Sequence, residues 1–136
     1  NGKGAIINIA SLAGLASAPK MGPYNISKAA VVSLSETLYA ELAHSGIGVS
    51  VVCQSFFRTN IMKSGRGDQP PKVRALVDKL MDRSKVQAPE VAAAALSSVF
   101  SGKLYVVPMM EARLLWRFKR LFPGFFQRRF ALPKRK

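Results

Sequence analysis

An open, parallel α/β sheet is the fold class that this sequence predicts, and three observations point to it. Short, nearly continuous apolar runs rich in β-branched residues occur three times, as suits strands buried on both faces. Between them lie segments whose apolar residues recur at helical spacing. The resulting order of strand, helix, strand, helices, strand belongs to a parallel sheet flanked by helices on both faces.

The elements follow in turn. "AIINIAS" (5–11) reads as the first strand, and "LAGLASAPKMG" (12–22), with Gly14, Pro19, Gly22 and Pro23 as turn signals, as a loop. From Tyr24 to His44, the residues Ala30, Val31, Leu34, Leu38 and Leu42 mark a helix that Gly46 stops. "IGVSVVC" (47–53) is a second strand, and residues 54–70 are irregular. Val73, Leu76, Val77, Leu80 and Met81 mark an amphipathic helix over 71–84. Pro89 and Glu90 open another, which Gly102 ends, before a third strand, "KLYVVP" (103–108).

The chain has 136 residues, of which 49% are hydrophobic, enough for one domain with a core and too apolar for disorder. One cysteine, Cys53, excludes an internal disulfide framework or a cysteine-rich metal site, and makes a reducing cytoplasm the default compartment. His44 is the only histidine. No apolar run is long enough to span a membrane. The opening "NGKGAIINIA" lacks a signal-peptide core and an initial Met, and the chain reads as a fragment of a longer protein. The formal charge is +14, with nine Lys or Arg against one acid in residues 109–136, which concentrates +8 there.

"GPYNISKAA" (22–30) places Tyr24 and Lys28 four positions apart, on one face of a helix. An ammonium beside a phenol favours the phenolate, which makes the pair a potential acid–base device. Ser11 stands at the carboxyl end of the first strand, where open α/β sheets bind ligands. Its hydroxyl is placed to hydrogen-bond a substrate oxygen.

These residues resemble the short-chain dehydrogenase/reductase family. "AIINIASLAG" looks like its serine-bearing strand, "YNISK" matches its Tyr-x-x-x-Lys motif, and the spacing between serine and tyrosine agrees. The resemblance covers about residues 2–108, the C-terminal half of a Rossmann-type, doubly wound sheet, with 109–136 as a basic aromatic tail. It implies alcohol/ketone interconversion with NAD or NADP. Tyr24 would be the general acid/base, Lys28 would support it and bind the nicotinamide ribose, and Ser11 would orient the substrate. It further implies that Tyr24, Lys28, Phe57 and Thr59 bind the cofactor, and that Ser11, Phe56 and Met62 bind the substrate. Phe56, Phe57, Met62, Leu76 and Met81 would form an apolar lid, suiting an apolar alcohol or ketone. Asn8 resembles a family asparagine that supports the fold. A homo-oligomer is expected of the intact protein.

Plainer readings stand beside these. Ser11 also fits a strand-end turn, Lys28 a solvated helix face, and Thr59 a helix N-cap before Asn60. Gln54 and Ser55 stand where the family carries Pro-Gly, which should alter that turn. No Gly-rich phosphate-binding turn is present, since "GKG" at 2–4 and "GRG" at 65–67 have the wrong spacing. These 136 residues alone are therefore expected to be inactive, with a bare edge on the first strand. The rival reading is a non-catalytic protein with a dehydrogenase-like fold.

In the tail, Leu114, Leu115, Phe118, Leu121 and Phe122 share one helical face backed by arginines, and Pro123 and Gly124 interrupt the helix. The pattern fits packing on its own domain or a dimer partner, or attachment of 111–130 to an anionic membrane surface. Nucleic-acid binding is the least favoured reading. "RGD" at 66–68 reads as coincidence.

Overall fold

The computed structural model describes residues 3–59 and 71–131. The first two apolar runs form β1 (Gly4–Ile9) and β2 (Ile47–Val52), and β3 is Tyr105–Val106. They form a parallel sheet in the order β1-β2-β3, with Gly4 opposite Ile47, Ile9 opposite Val52, and Val52 opposite Val106. Among the described residues β1 is therefore a sheet edge, and Ile9 is 53% exposed there. β3 is shorter than the run that predicted it. It pairs only with β2 among the described residues, and Pro108 has no N–H to extend a ladder.

The segment expected to be a loop contains a one-turn helix, α1 (Leu12–Leu15). Ser11 caps it by accepting from the Ala13 N–H, which lets Leu and Ala, good helix formers, close a turn. α2 (Gly22–Glu41) begins two residues before Tyr24 because Pro23 suits a first turn. It ends before His44, and Gly46 reverses the chain at φ 75°. Val31, Leu38 and Leu42 are half-buried, but Leu34 points outward at 53% exposure. The line on α2 that is buried is Asn25, Val32 and Ser35.

After α3 (Pro71–Arg83), the helix α4 (Ala88–Phe100) opens with a capping box between Gln87 and Glu90. Its face of Val91, Ala95 and Val99 is buried. Helices cover both faces of the sheet. Asn8 of β1 meets Ser35 of α2, while Gly48, on the opposite face of β2, abuts Val99 of α4. The tail forms α5 (Met110–Leu121) and α6 (Pro123–Arg129), broken where Pro123 was expected to interrupt. The core gathers Ala10, Val51, Val52, Cys53, Val106 and Val107 with Val91 and Ala95, and takes in Met109 and Ala112 from the start of the tail.

Candidate active site

β1 ends at Ile9, and the next three residues carry the candidate site's first wall. Ala10 is buried and held by its N–H to the Val52 carbonyl at 2.9 Å. Ser11 follows in extended geometry, φ −168° and ψ 161°. Its Oγ accepts from Ala13 N at 3.2 Å, and among the described residues its O–H donates to no partner. The hydroxyl thus serves as an N-cap and still has a proton to offer a ligand oxygen.

Lys28 reaches back to this strand end. Its Nζ donates to the Ile9 carbonyl at 3.2 Å and stands 5.9 Å from the centroid of the Tyr24 ring. The ring contact is at the outer reach of a cation–π interaction. Two of the three ammonium N–H groups make no other bond among the described residues. Tyr24, one turn before Lys28 on α2, is 36% exposed. Ser11, Tyr24 and Lys28 are therefore brought to one end of the sheet, as the spacing in the sequence predicts.

Two residues that sequence reasoning passed over hold this arrangement. Gly14 is more than the turn signal that the sequence shows. A Cβ there would lie 2.6 Å from the Lys28 carbonyl oxygen, so only glycine lets α1 lie against α2 at this point. Asn25, next to Tyr24, is buried. Its Nδ2 donates to the Ala18 carbonyl at 2.8 Å and ties the Ser11–Tyr24 connection to the first turn of α2. No periodicity marks either role, since each depends on what a distant backbone does.

The loop after β2 forms the next wall. The Leu12 N–H donates to the Gln54 carbonyl at 2.8 Å, so the residue standing where the family has proline anchors α1. The Gln54 Oε1 is buried without a hydrogen-bond partner among the described residues. Phe57 is half-buried against the core, Phe56 is 41% exposed, and Thr59 is exposed. Met62 lies outside the described residues. Arg58 pairs with Asp82 of α3, and its N–H donates to Gln87 Oε1 at 3.1 Å, so this loop is fastened to α3 and α4. Of the other lid candidates, Met81 is buried and Leu76 is 56% exposed.

Asn8 Nδ2 donates to Ser35 Oγ at 2.9 Å, and Ser35 in turn donates to the Val31 carbonyl at 2.6 Å, which locks α2 onto β1. On the same side, Tyr105 donates its hydroxyl proton to Glu36. Burial, then that bond, pushes Tyr105 up from 10.0 to about 12. Burial, reinforced by the Glu36 charge, pushes the Cys53 thiol from 9.0 to about 12, so it is no nucleophile. A cavity of about 740 Å³ lies at the opposite, amino end of the strands, lined by Ala5, Tyr39, Gly48 and Phe100, away from these residues.

A nicotinamide nucleotide offers ribose hydroxyls, which the two spare donors of Lys28 and the exposed phenol of Tyr24 fit. No Gly-rich phosphate turn exists in the sequence to hold its pyrophosphate.

Known proteins share this fold. The family described as short chain dehydrogenase matches residues 1–70. A short chain dehydrogenase/reductase from Burkholderia phymatum, solved in complex with NAD, is 32% identical with a TM-score of 0.72, over 97% of this chain and 52% of that one. A short chain dehydrogenase from Burkholderia cenocepacia J2315, solved in complex with NADP, is 26% identical with a TM-score of 0.67, over 96% of this chain and 48% of that one. The 2-(R)-hydroxypropyl-CoM dehydrogenase of Xanthobacter autotrophicus is 32% identical over 105 residues, 77% of this chain and 42% of that protein. The chain thus spans about half the length of these relatives or less. With a Rossmann-type sheet and the Ser11, Tyr24, Lys28 arrangement at its carboxyl end, the chain belongs to the short-chain dehydrogenase/reductase family of oxidoreductases.

Proposed function

We propose that the protein carrying this chain interconverts an apolar alcohol and ketone with NAD or NADP. The observation that carries this reading is the Lys28 ammonium held at the Ile9 carbonyl beside the Tyr24 ring. When bound, the nicotinamide supplies the redox chemistry. Tyr24 Oη gives a proton to the substrate carbonyl oxygen, or takes one from the alcohol. Ser11 donates its free O–H to that oxygen and orients it, while the ammonium of Lys28 holds ribose hydroxyls and faces the phenol. Thr59 and Phe57 border the nicotinamide, and Phe56 and Met62 line the substrate. Residues outside this chain hold the pyrophosphate, so the 136 residues alone turn over no substrate.

The intact protein is a homo-oligomer in this reading, supported by Ile26 and Leu34 standing two turns apart on α2 at 71% and 53% exposure. The tail, residues 111–130, attaches it to a membrane surface, supported by the exposed apolar side chains of α5 and α6. The enzymatic reading is tested by titrating the protein as encoded, and its Tyr24→Phe variant, with NADH and NADPH, followed by ketone reduction. Cofactor binding by both, with turnover lost only in the variant, is the expected result. Absence of cofactor binding by either overturns it in favour of a non-catalytic protein.

A further inference from the structure

The tail divides its side chains between two directions. Inward, Ala112 and Phe126 are buried and Trp116 packs on Tyr105 with ring centroids 5.0 Å apart. Arg113 Nε donates to the Val107 carbonyl at 2.6 Å, and Lys119 Nζ to the Leu15 carbonyl, also at 2.6 Å. Outward, Leu114, Phe118, Leu121, Phe122 and Phe125 are between 37% and 72% exposed. The Phe118 ring touches those of Phe122 and Phe125, at 5.6 and 5.9 Å, so the stripe runs unbroken across the Pro123 joint. Beside it, Arg117, Arg128 and Arg129 are exposed, and none pairs with a carboxylate among the described residues.

Resting on the tail's attachment to a membrane, we infer that this outward stripe docks on an anionic lipid bilayer and that docking holds the Ser11 turn at the lipid surface. The substrate then enters from the membrane. Charge selects the occupant. A second copy applied to the same stripe sets Arg117, Arg128 and Arg129 against the same three cations, whereas anionic headgroups attract about 1 kcal/mol per nearby Lys or Arg. Geometry sets the second part. Lys119, beside Phe118 in α5, holds the last residue of α1, the one-turn helix that Ser11 caps. A helix is about 10–12 Å across, and a surface helix sinks about 5–10 Å into the headgroup boundary. The Leu15 end of the α1 turn is then roughly one helix diameter from the lipid, with Ser11 at the other end of the same turn. Polar water-soluble substrates gain nothing from that placement, but an apolar alcohol or ketone dissolved in the bilayer does.

The test floats the protein as encoded with phosphatidylcholine vesicles and with vesicles containing 30% phosphatidylglycerol, an arbitrary but standard load giving roughly a third of anionic surface. Flotation with the anionic vesicles only, release at high salt, and at least about ten-fold loss in Leu121→Glu are expected. No flotation, or equal flotation with both vesicles, overturns the docking. So does a wild type that stays in solution as a dimer which Leu121→Glu splits, because the stripe then meets a second copy. For the orientation, Ser17→Cys and His44→Cys are labelled with bimane and exposed to headgroup spin-labelled lipid. Ser17 follows α1 and His44 lies at the other end of the sheet, while Cys53 is fully buried. Several-fold stronger quenching at position 17 is expected, and equal quenching overturns the placement of Ser11. Failure to float overturns the membrane attachment itself, whereas flotation with equal quenching overturns only the orientation, and neither readout depends on turnover.

Discussion

The carboxyl end of the sheet and the tail are built on opposite principles. Around Ser11, Tyr24 and Lys28, each polar side chain is held by one bond within the chain, Ala13 N on Ser11, Ile9 O on Lys28 and Ala18 O on Asn25, and keeps other donors or acceptors open among the described residues. Backbones approach so closely that Gly14 has no room for a Cβ. In α5 and α6 the large side chains point away from the body, and only a few anchors, among them Ala112, Trp116 and Phe126, fasten them. A site that must hold a proton donor in register needs closely packed, anchored side chains that still have groups to offer a ligand. A surface element needs anchors on one side and unsatisfied apolar area on the other.

The largest test of this contrast is Tyr24→Phe in the protein as encoded. Loss of the phenolic proton should lower kcat by about 10²–10⁴-fold, the range of general acid–base catalysis, with little change in cofactor affinity. An equal fall in cofactor affinity would show that the hydroxyl only binds. Next comes Met109→Ala, at the tail's root, where the side chain is 1% exposed. It should cost about 2–5 kcal/mol in denaturant unfolding. A neutral result would mean that the tail is not fastened to the core there. Gly14→Ala must push α1 from the Lys28 carbonyl, for about 1–3 kcal/mol and a raised KM. If stability and KM are both unchanged, the tight contact is not what positions Ser11.

Alkaline pH probes the buried layer between the two regions. Cys53 has a folded value of about 12 against an ordinary 9.0, and Tyr105 rises in the same sense from 10.0. The folded state therefore holds these protons more tightly than the unfolded chain does. Their contribution is complete below pH 9 and is lost as pH rises toward 12. Urea unfolding at pH 8 and pH 11 should show stability falling, and falling less in Cys53→Ala. Identical pH slopes in the two proteins would place the thiol outside that layer. The smallest expected effect is Leu121→Glu, at 72% exposure, which should move stability by no more than about 0.5 kcal/mol. A larger loss would mean that the stripe packs against the protein rather than facing outward.

Much of this was legible before any coordinates. Buried strands announce themselves by continuous apolar runs, and the Tyr24–Lys28 pair by the four-residue rise that stacks side chains on a helix. The outward tilt of Leu34 on α2 was not legible, because periodicity reports one apolar stripe and not which side faces the sheet. Nor was α1, since a four-residue helix stands on the Ser11 cap and on the Gln54 carbonyl that receives Leu12.

By itself, then, the sequence determined the order of elements along the chain, the helix stops and the residue types of the acid–base pair. Each is a local matter of periodicity, capping and spacing. Only the tertiary structure decided that Gly14 lies on Lys28, that Asn25 ties down the Ala18 carbonyl, and that Lys119 of the tail grips the α1 turn. Those contacts join residues whose separation along the chain carries no period, and close packing alone brings them together.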